Sequence, residues 1–381
     1  MRLTDICDFQ GGSQPPKDEW LFEKQEGYIR MLQIRDFTQS EKVVPEYVKI
    51  SKSTKICQAD DILIARYGAS IGKILTGLSG AYNVAIMRAI PDTHMLQKKY
   101  LYYYLKSPYF QTAILNVGSR AAQAGFNKED LSKLEIKCPL LSEQDSIIDI
   151  LQKVESIIGK RKKELIFLDE LVKARFVEMF GTLHDNENGF DIVTIEDVCS
   201  LIKDGTHQTP QYTEDKKEGY KFLSSKDVMS QKVDWTNIKY IPAELHEKLY
   251  ATIKPQRNDI LMSKNGVNYG VAAVNDTDEV FDIYVSLALL RPKKIIDPVF
   301  LKCVINNPET KWQFDSSIKG IGVPNLHLGE IKKTRMFLPP IELQNQFADF
   351  VRAIDKSKVA IQKSLDETQI LFDSLMQKYF G

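Results

Sequence analysis

The chain has 381 residues, of which 43% are hydrophobic and 27% charged. Single cores stop growing near roughly 250 to 300 residues, so two domains or more are expected. The 51 basic and 51 acidic side chains cancel, which excludes a globally polybasic protein and confines any polyanion-binding surface to a local patch.

In chain order, "LTDICDFQGGSQPPK" opens at residue 3 and "GYIRMLQIRD" follows at 27. "DDILIARYGASIGK", from residue 60, reads as a strand, a turn at Gly68 and a second strand. Its two glycines and Lys73 invite comparison with a phosphate-binding loop. That loop needs four residues between its glycines and a hydroxyl after the lysine. Three residues separate Gly68 from Gly72, and Ile74 follows Lys73, so the comparison fails. "KKYLYYYLKSPYFQTAI", from 98, is helical, and its aromatic and Leu spacing suits a core better than ligand stacking.

A long helix is expected over 142–181. With Leu151 at heptad position a, its seam runs Leu151, Val154, Ile158, Arg161, Leu165, Leu168, Val172, Arg175 and Met179, apolar at seven of nine positions. The Pro-containing "CPLLSEQ" punctuates its start, and Gly181 is suited to end it. Past that helix the chain begins again. "VTIEDVCSLIKDGTHQTP" from 193, "GYKFLSSKD" from 219 and "NDILMSKNGVNYGV" from 258 resemble the first three segments in the same order. Val271 stands where Lys73 stood, which again favours shared structure over a phosphate site. The strand "VSLALLRP" and the helical "PVFLKCVINNPETKWQF" follow, so each half reads as α+β.

From 342 to 381 the match to 142–181 is free of gaps at an offset of 200, with Gln144/Gln344, Leu165/Leu365 and Phe180/Phe380 identical. The same register gives the seam Val351, Ile354, Lys358, Ile361, Leu365, Thr368, Phe372, Leu375 and Tyr379, again apolar at seven of nine. A helix of about 39 residues spans roughly 58 Å, longer than a domain of this size, so two of them are expected to pair as an antiparallel coiled coil. Arg161 and Lys358 then fall near the middle. The expected organisation is globular 1–141, helix 142–181, globular 182–341 and helix 342–381, an α+β chain with pseudo-twofold symmetry. The five scattered cysteines form no C-x-x-C pair and read as free thiols of a reducing cytosol. No apolar signal core or membrane-length run is present, so a soluble, cytoplasmic protein without membrane association is expected.

Taken together, the residues resemble the DNA-specificity (S) subunits of type I restriction-modification enzymes over essentially the whole length. Two variable halves each carry a "T-x-x-D-[IV]-C"-like opening, a "G-[ST]-x-x-x-P"-like turn, a "D-I-L-x-x-x-x-G" hairpin and an Asn ahead of the helix-leading Pro (Asn127, Asn325). A "P-x-x-x-x-Q" segment then leads into each long helix. The resemblance implies two target-recognition domains reading a split sequence in double-stranded DNA. It also implies a coiled coil that acts as ruler and docks DNA-methyltransferase (M) subunits, two of them, with restriction (R) subunits as further partners.

Major-groove reading favours Arg or Lys on guanine and Asn or Gln on adenine. In the first half this points to Arg66, Tyr67, Lys73, Ser119, Arg120 and Gln123. In the second it points to Thr206, His207, Gln208, Lys264, Asn265, Asn268, Tyr269 and Lys319. No catalytic or metal constellation is written here: "LPPI" at 338 does not fit a methyltransferase signature, and His207 has no second ligand at metal spacing. The resemblance therefore puts S-adenosylmethionine, ATP and magnesium in the partner subunits and no cofactor in this chain. A second reading, a duplicated coiled-coil adaptor that scaffolds protein partners, fits the same repeat.

Overall fold

The computed structural model describes residues 1–39, 42–118, 125–318 and 324–381. Contacts divide the chain into two compact units, 1–163 with 362–381 and 164–361, so each unit takes a portion of both long helices.

In the first unit the main sheet is antiparallel, in the order Cys7–Gly11, Ile86–Pro91, Ile62–Ala65, Ile74–Leu75. The strand Ile62–Ala65 is buried at every position because both of its faces are covered. Ile62 and Ile64 enter the core beneath the helices Lys98–Lys106 and Pro108–Gly118, where Tyr100, Tyr104 and Phe110 are buried. Leu63 and Ala65 face the other way, onto Leu32, Cys57 and Tyr82 of a second, smaller sheet. This two-residue alternation between two cores is what a strand with both faces covered requires. Tyr100, Tyr103, Tyr104 and Phe110 are thus core, whereas Tyr109 is exposed, and the hydroxyls of Tyr100 and Tyr104 are satisfied by the carbonyls of Lys137 and Glu135.

The second unit repeats the plan: Cys199–Asp204, Leu287–Pro292, Ile260–Ser263, Ala272–Val274. Ile260 and Met262 face the helices Pro298–Ile305 and Pro308–Ser317, while Leu261 faces Leu223 and Phe281. Both helices begin with proline, and the side chains of Asp297 and Asn307 accept the first free N–H groups.

The two long helices are Leu141–Phe180 and Ile341–Phe380, 40 residues each. In the second unit Asp169 pairs with Lys358, and the ring of Phe180 packs on Phe347 at 5.4 Å, so advance along one helix is retreat along the other. In the first unit Ile148 and Leu151 join Met376 and Phe380 in one core, the same antiparallel sense. Every predicted seam position is buried or half-buried. Toward each C-terminal end the burial moves off the strict heptad onto Phe176, Phe180, Met376 and Phe380, because there the helix packs on its globular core as well as on its partner. A straight helix turns every 3.6 residues, which brings these i, i+4 positions inward.

Both helices are tied down by the same device. Gln144 and Gln344 are fully buried. Gln144 Oε1 accepts from Gln97 N (2.8 Å), and its Nε2 donates to the carbonyls of Met95 (2.8 Å) and Pro139 (2.9 Å). Gln344 Oε1 accepts from Asp297 N (3.0 Å), and its Nε2 donates to Ile295 (3.2 Å) and Pro339 (2.8 Å). One motif differs from the sequence reading. The side chain of Asn127 caps the helix Lys128–Leu131, but His327, not Asn325, occupies that place before Leu328–Lys333. Asn325 instead matches Gly125, each bridging its hairpin.

No helix among the described residues is long and apolar enough to cross a membrane. All five cysteines are free, and burial pushes the thiols of Cys7 and Cys199 up to about 12, which leaves them protonated and unreactive at neutral pH.

Gln144→Ala should leave two buried carbonyls and one N–H without partners and cost about 2–4 kcal/mol. The unfolding midpoint of the unit built on 1–163 reads this directly; an unchanged midpoint would refute the assigned role.

Candidate nucleic-acid interface

At the end of the strand Ile62–Ala65 the chain leaves the sheet and turns back. Arg66 N still donates to Ala85 O (2.8 Å), Tyr67 bridges Gly125, and Gly68 and Gly72 take φ of +70° and +80°. In the second unit Lys264 N donates to Ser286 O (3.0 Å), Asn265 bridges Asn325, and Gly266 and Gly270 take φ of +87° and +86°. Two left-handed glycines are the reason for the G-x-x-x-G spacing. The segment leads into a strand, whereas a phosphate loop leads into a helix N-terminus, and Lys73 lies exposed just beyond the turn.

Each hairpin is pinned from behind by the helix pair. Gln111 Nε2 donates to Gly72 O (2.9 Å), and in the second unit the Asn306 carboxamide exchanges two bonds with the backbone of Ala272 (2.9 Å each). A third loop passes close by. A Cβ on Gly12 would lie 2.0 Å from Asn83 O, and one on Gly205 would lie 2.0 Å from Ile283 O. Only glycine permits that approach, which accounts for the glycine common to "QGGSQPP" and "KDGTHQTP".

Three segments therefore converge in each unit, and those of the predicted residues that are described lie on them or just beneath them. In the first unit Arg66 Nε donates to Phe126 O (3.3 Å) and its Nη1 to Val84 O (3.4 Å), with the guanidinium 5.0 Å from the exposed ring of Tyr67. In the second, Asp204 Oδ2 accepts from Lys264 Nζ (2.7 Å) and lies 3.2 Å from His207 Nε2, which brings Thr206, His207 and Gln208 beside the hairpin. Asn268 is exposed and Asn265 half-buried. Ser119, Arg120, Gln123 and Lys319 lie outside the described residues.

Two candidates are not surface groups. The Lys264 side chain is only 5% exposed and its ammonium is committed to Asp204, as a cation drawn from water requires. Tyr269 is buried, its hydroxyl bonded to Asp315 and its ring covered by the Lys311 ammonium at 3.4 Å. Both shape the loops from beneath. Asp204 escaped the sequence reading: it lies 60 residues from Lys264, and no local spacing joins them.

The profile described as "Type I restriction modification DNA specificity domain" matches residues 1–166 and 187–369, most of the chain and once per half. The chain belongs to this family. It is similar to the type I restriction enzyme MjaVIII specificity subunit of Methanocaldococcus jannaschii, 22% identical over 96% of this chain and 89% of the relative. The EcoBI specificity subunit of Escherichia coli is 22% identical over 80% of this chain and 71% of its own length. The fold is like that of the crystallised type I S subunit from M. genitalium, with a TM-score of 0.58 at 14% identity, covering all of this chain and 95% of that one. As a specificity subunit the chain is a DNA-recognition component, not the catalytic one.

Asp204→Asn should strand the Lys264 ammonium in the interior and destabilise the second unit by on the order of 3 kcal/mol, and adding Lys264→Met should restore most of that. Thermal unfolding of the single and double variants tests the pair; equal loss in both would show that the pair does not hold the loop.

Proposed function

We propose that this chain reads a bipartite target in duplex DNA, one part with each half, and carries methyltransferase subunits to it. The observation behind this reading is a backbone frame built twice with different side chains at its tips. Arg66, Tyr67 and Lys73 stand in one half where Lys264, Asn265 and Val271 stand in the other. A shared frame with divergent tips suits two readers of different base sequences, so the target need not be a palindrome. With a net charge of zero, phosphate contacts must come from local cations such as Lys73, and binding should fall with salt by a slope of about 0.9 per contact.

The long helices bear exposed apolar side chains that neither unit covers: Ile166, Phe167 and Leu171 in the second, Ile370 and Leu371 in the first. We assign these faces to methyltransferase subunits, two per chain, since each unit offers such a face. Restriction subunits would join through that assembly. S-adenosylmethionine, ATP and magnesium belong to the partners, and the complex acts in the cytoplasm, where the DNA is.

Replacing 182–341 with the matching segment of another specificity subunit should change one part of the methylated sequence and leave the other intact, as read by long-read methylation mapping. A swap that alters both parts in a folded complex would exclude modular reading. Phe167→Glu with Leu171→Glu should abolish co-purification of a methyltransferase subunit while the unfolding midpoint stays within about 1 kcal/mol, since both sites are exposed. Undiminished co-purification would place docking elsewhere.

A further inference from the structure

The tip of the second hairpin carries an aliphatic side chain that the fold leaves in water. Val267 is 88% exposed, the highest value among the large hydrophobic residues of the described chain. It sits between Gly266 and Asn268, on a turn whose shape is fixed. Ser263 Oγ donates to Asn268 O (2.9 Å) and accepts from Val271 N (3.0 Å), Gly266 N donates to Pro324 O (3.0 Å), and both flanking glycines are left-handed. A valine held outward on a rigid turn is pre-shaped for a contact and adds nothing to the core.

Its neighbours indicate the chemistry. Asn268, next in sequence, is exposed, and its carboxamide has no hydrogen-bond partner among the described residues. An amide beside an aliphatic knob matches the major-groove edge of an A·T pair, where adenine offers N6 and N7 and thymine offers a C5-methyl group. In the first unit Ala69 occupies the same place between Gly68 and Gly72, also exposed, so the position is apolar in both halves while its size differs.

We propose that Val267 reads a thymine C5-methyl group in the part of the target assigned to residues 182–341, with Asn268 directed at the same base step. This rests on the DNA-reading assignment above. The methyl supplies the discrimination: its removal should weaken binding by the equivalent of one buried carbon, about fourfold in Kd.

The test uses the full chain assembled with its methyltransferase subunits and a synthetic duplex carrying the target found by methylation mapping. Each thymine of that half-site is replaced in turn by deoxyuridine, which pairs identically and lacks the methyl. One position should weaken binding about fourfold in the wild type. In Val267→Ala the same replacement should change Kd by less than about twofold, with the other positions unaltered. Target-specific binding without any thymine dependence, or a dependence that persists unchanged in Val267→Ala, overturns the assignment of Val267 alone. Absence of target preference in the wild-type complex overturns the DNA-reading assignment and this one with it.

Discussion

The buried carboxamides of Gln144 and Gln344 set the geometry on which everything else rests. Each one sits at the first turn of a 40-residue helix and holds two backbone groups of the loop ahead of the paired core helices, together with the carbonyl of the proline before its own helix. An amide is suited to this because it presents one acceptor and two donors in a plane. Glutamate would supply no donor, and leucine would supply nothing to the carbonyls. A long helix fixed at its base by such a peg has a defined direction, whereas one resting on apolar contacts alone could slide along its seam.

Above that base the two units separate support from display. Strand pairing, left-handed glycines and the close approach at Gly12 and Gly205 are common to both, and they determine where a loop tip is held. The side chains at the tips are free to differ, since they contribute little to the core. The buried Lys264–Asp204 pair shows the boundary between the two roles: a cation at the root of the tip is kept inside by a carboxylate, whereas in the first unit Arg66 stands at the same place on two carbonyls.

Much of this was legible in the sequence. Gap-free correspondence across the long helices gave their lengths to within a residue, and the positions that the heptad pattern named are all buried or half-buried. The replacement of Lys73 by Val271 already weighed against a phosphate loop. What escaped was non-local. Asp204 and Lys264 meet only because their strands share a sheet, so neither position advertises the other. Burial of Tyr269 depends on Asp315 and Lys311 from a distant helix. Phe176 and Phe180 fall off the heptad because a globular core recruits them, which periodicity within one helix cannot register. Asn325 was matched to Asn127 by residue type, though an isolated backbone bridge pairs it with Asn265.

The division of the helices between units bears on how the chain is made. Residues 164–361 are continuous, and that unit has all its parts as soon as they leave the ribosome. The first unit lacks 362–381 until the whole of the second has been made, although Tyr100 packs on Phe380 at 4.9 Å and Lys137 donates to Gly381 O. Domains ordinarily fold in the order of their translation. Here the half that emerges first completes its core last, and until then the buried faces of Leu151 and Tyr103 stand open to whatever the cell presents.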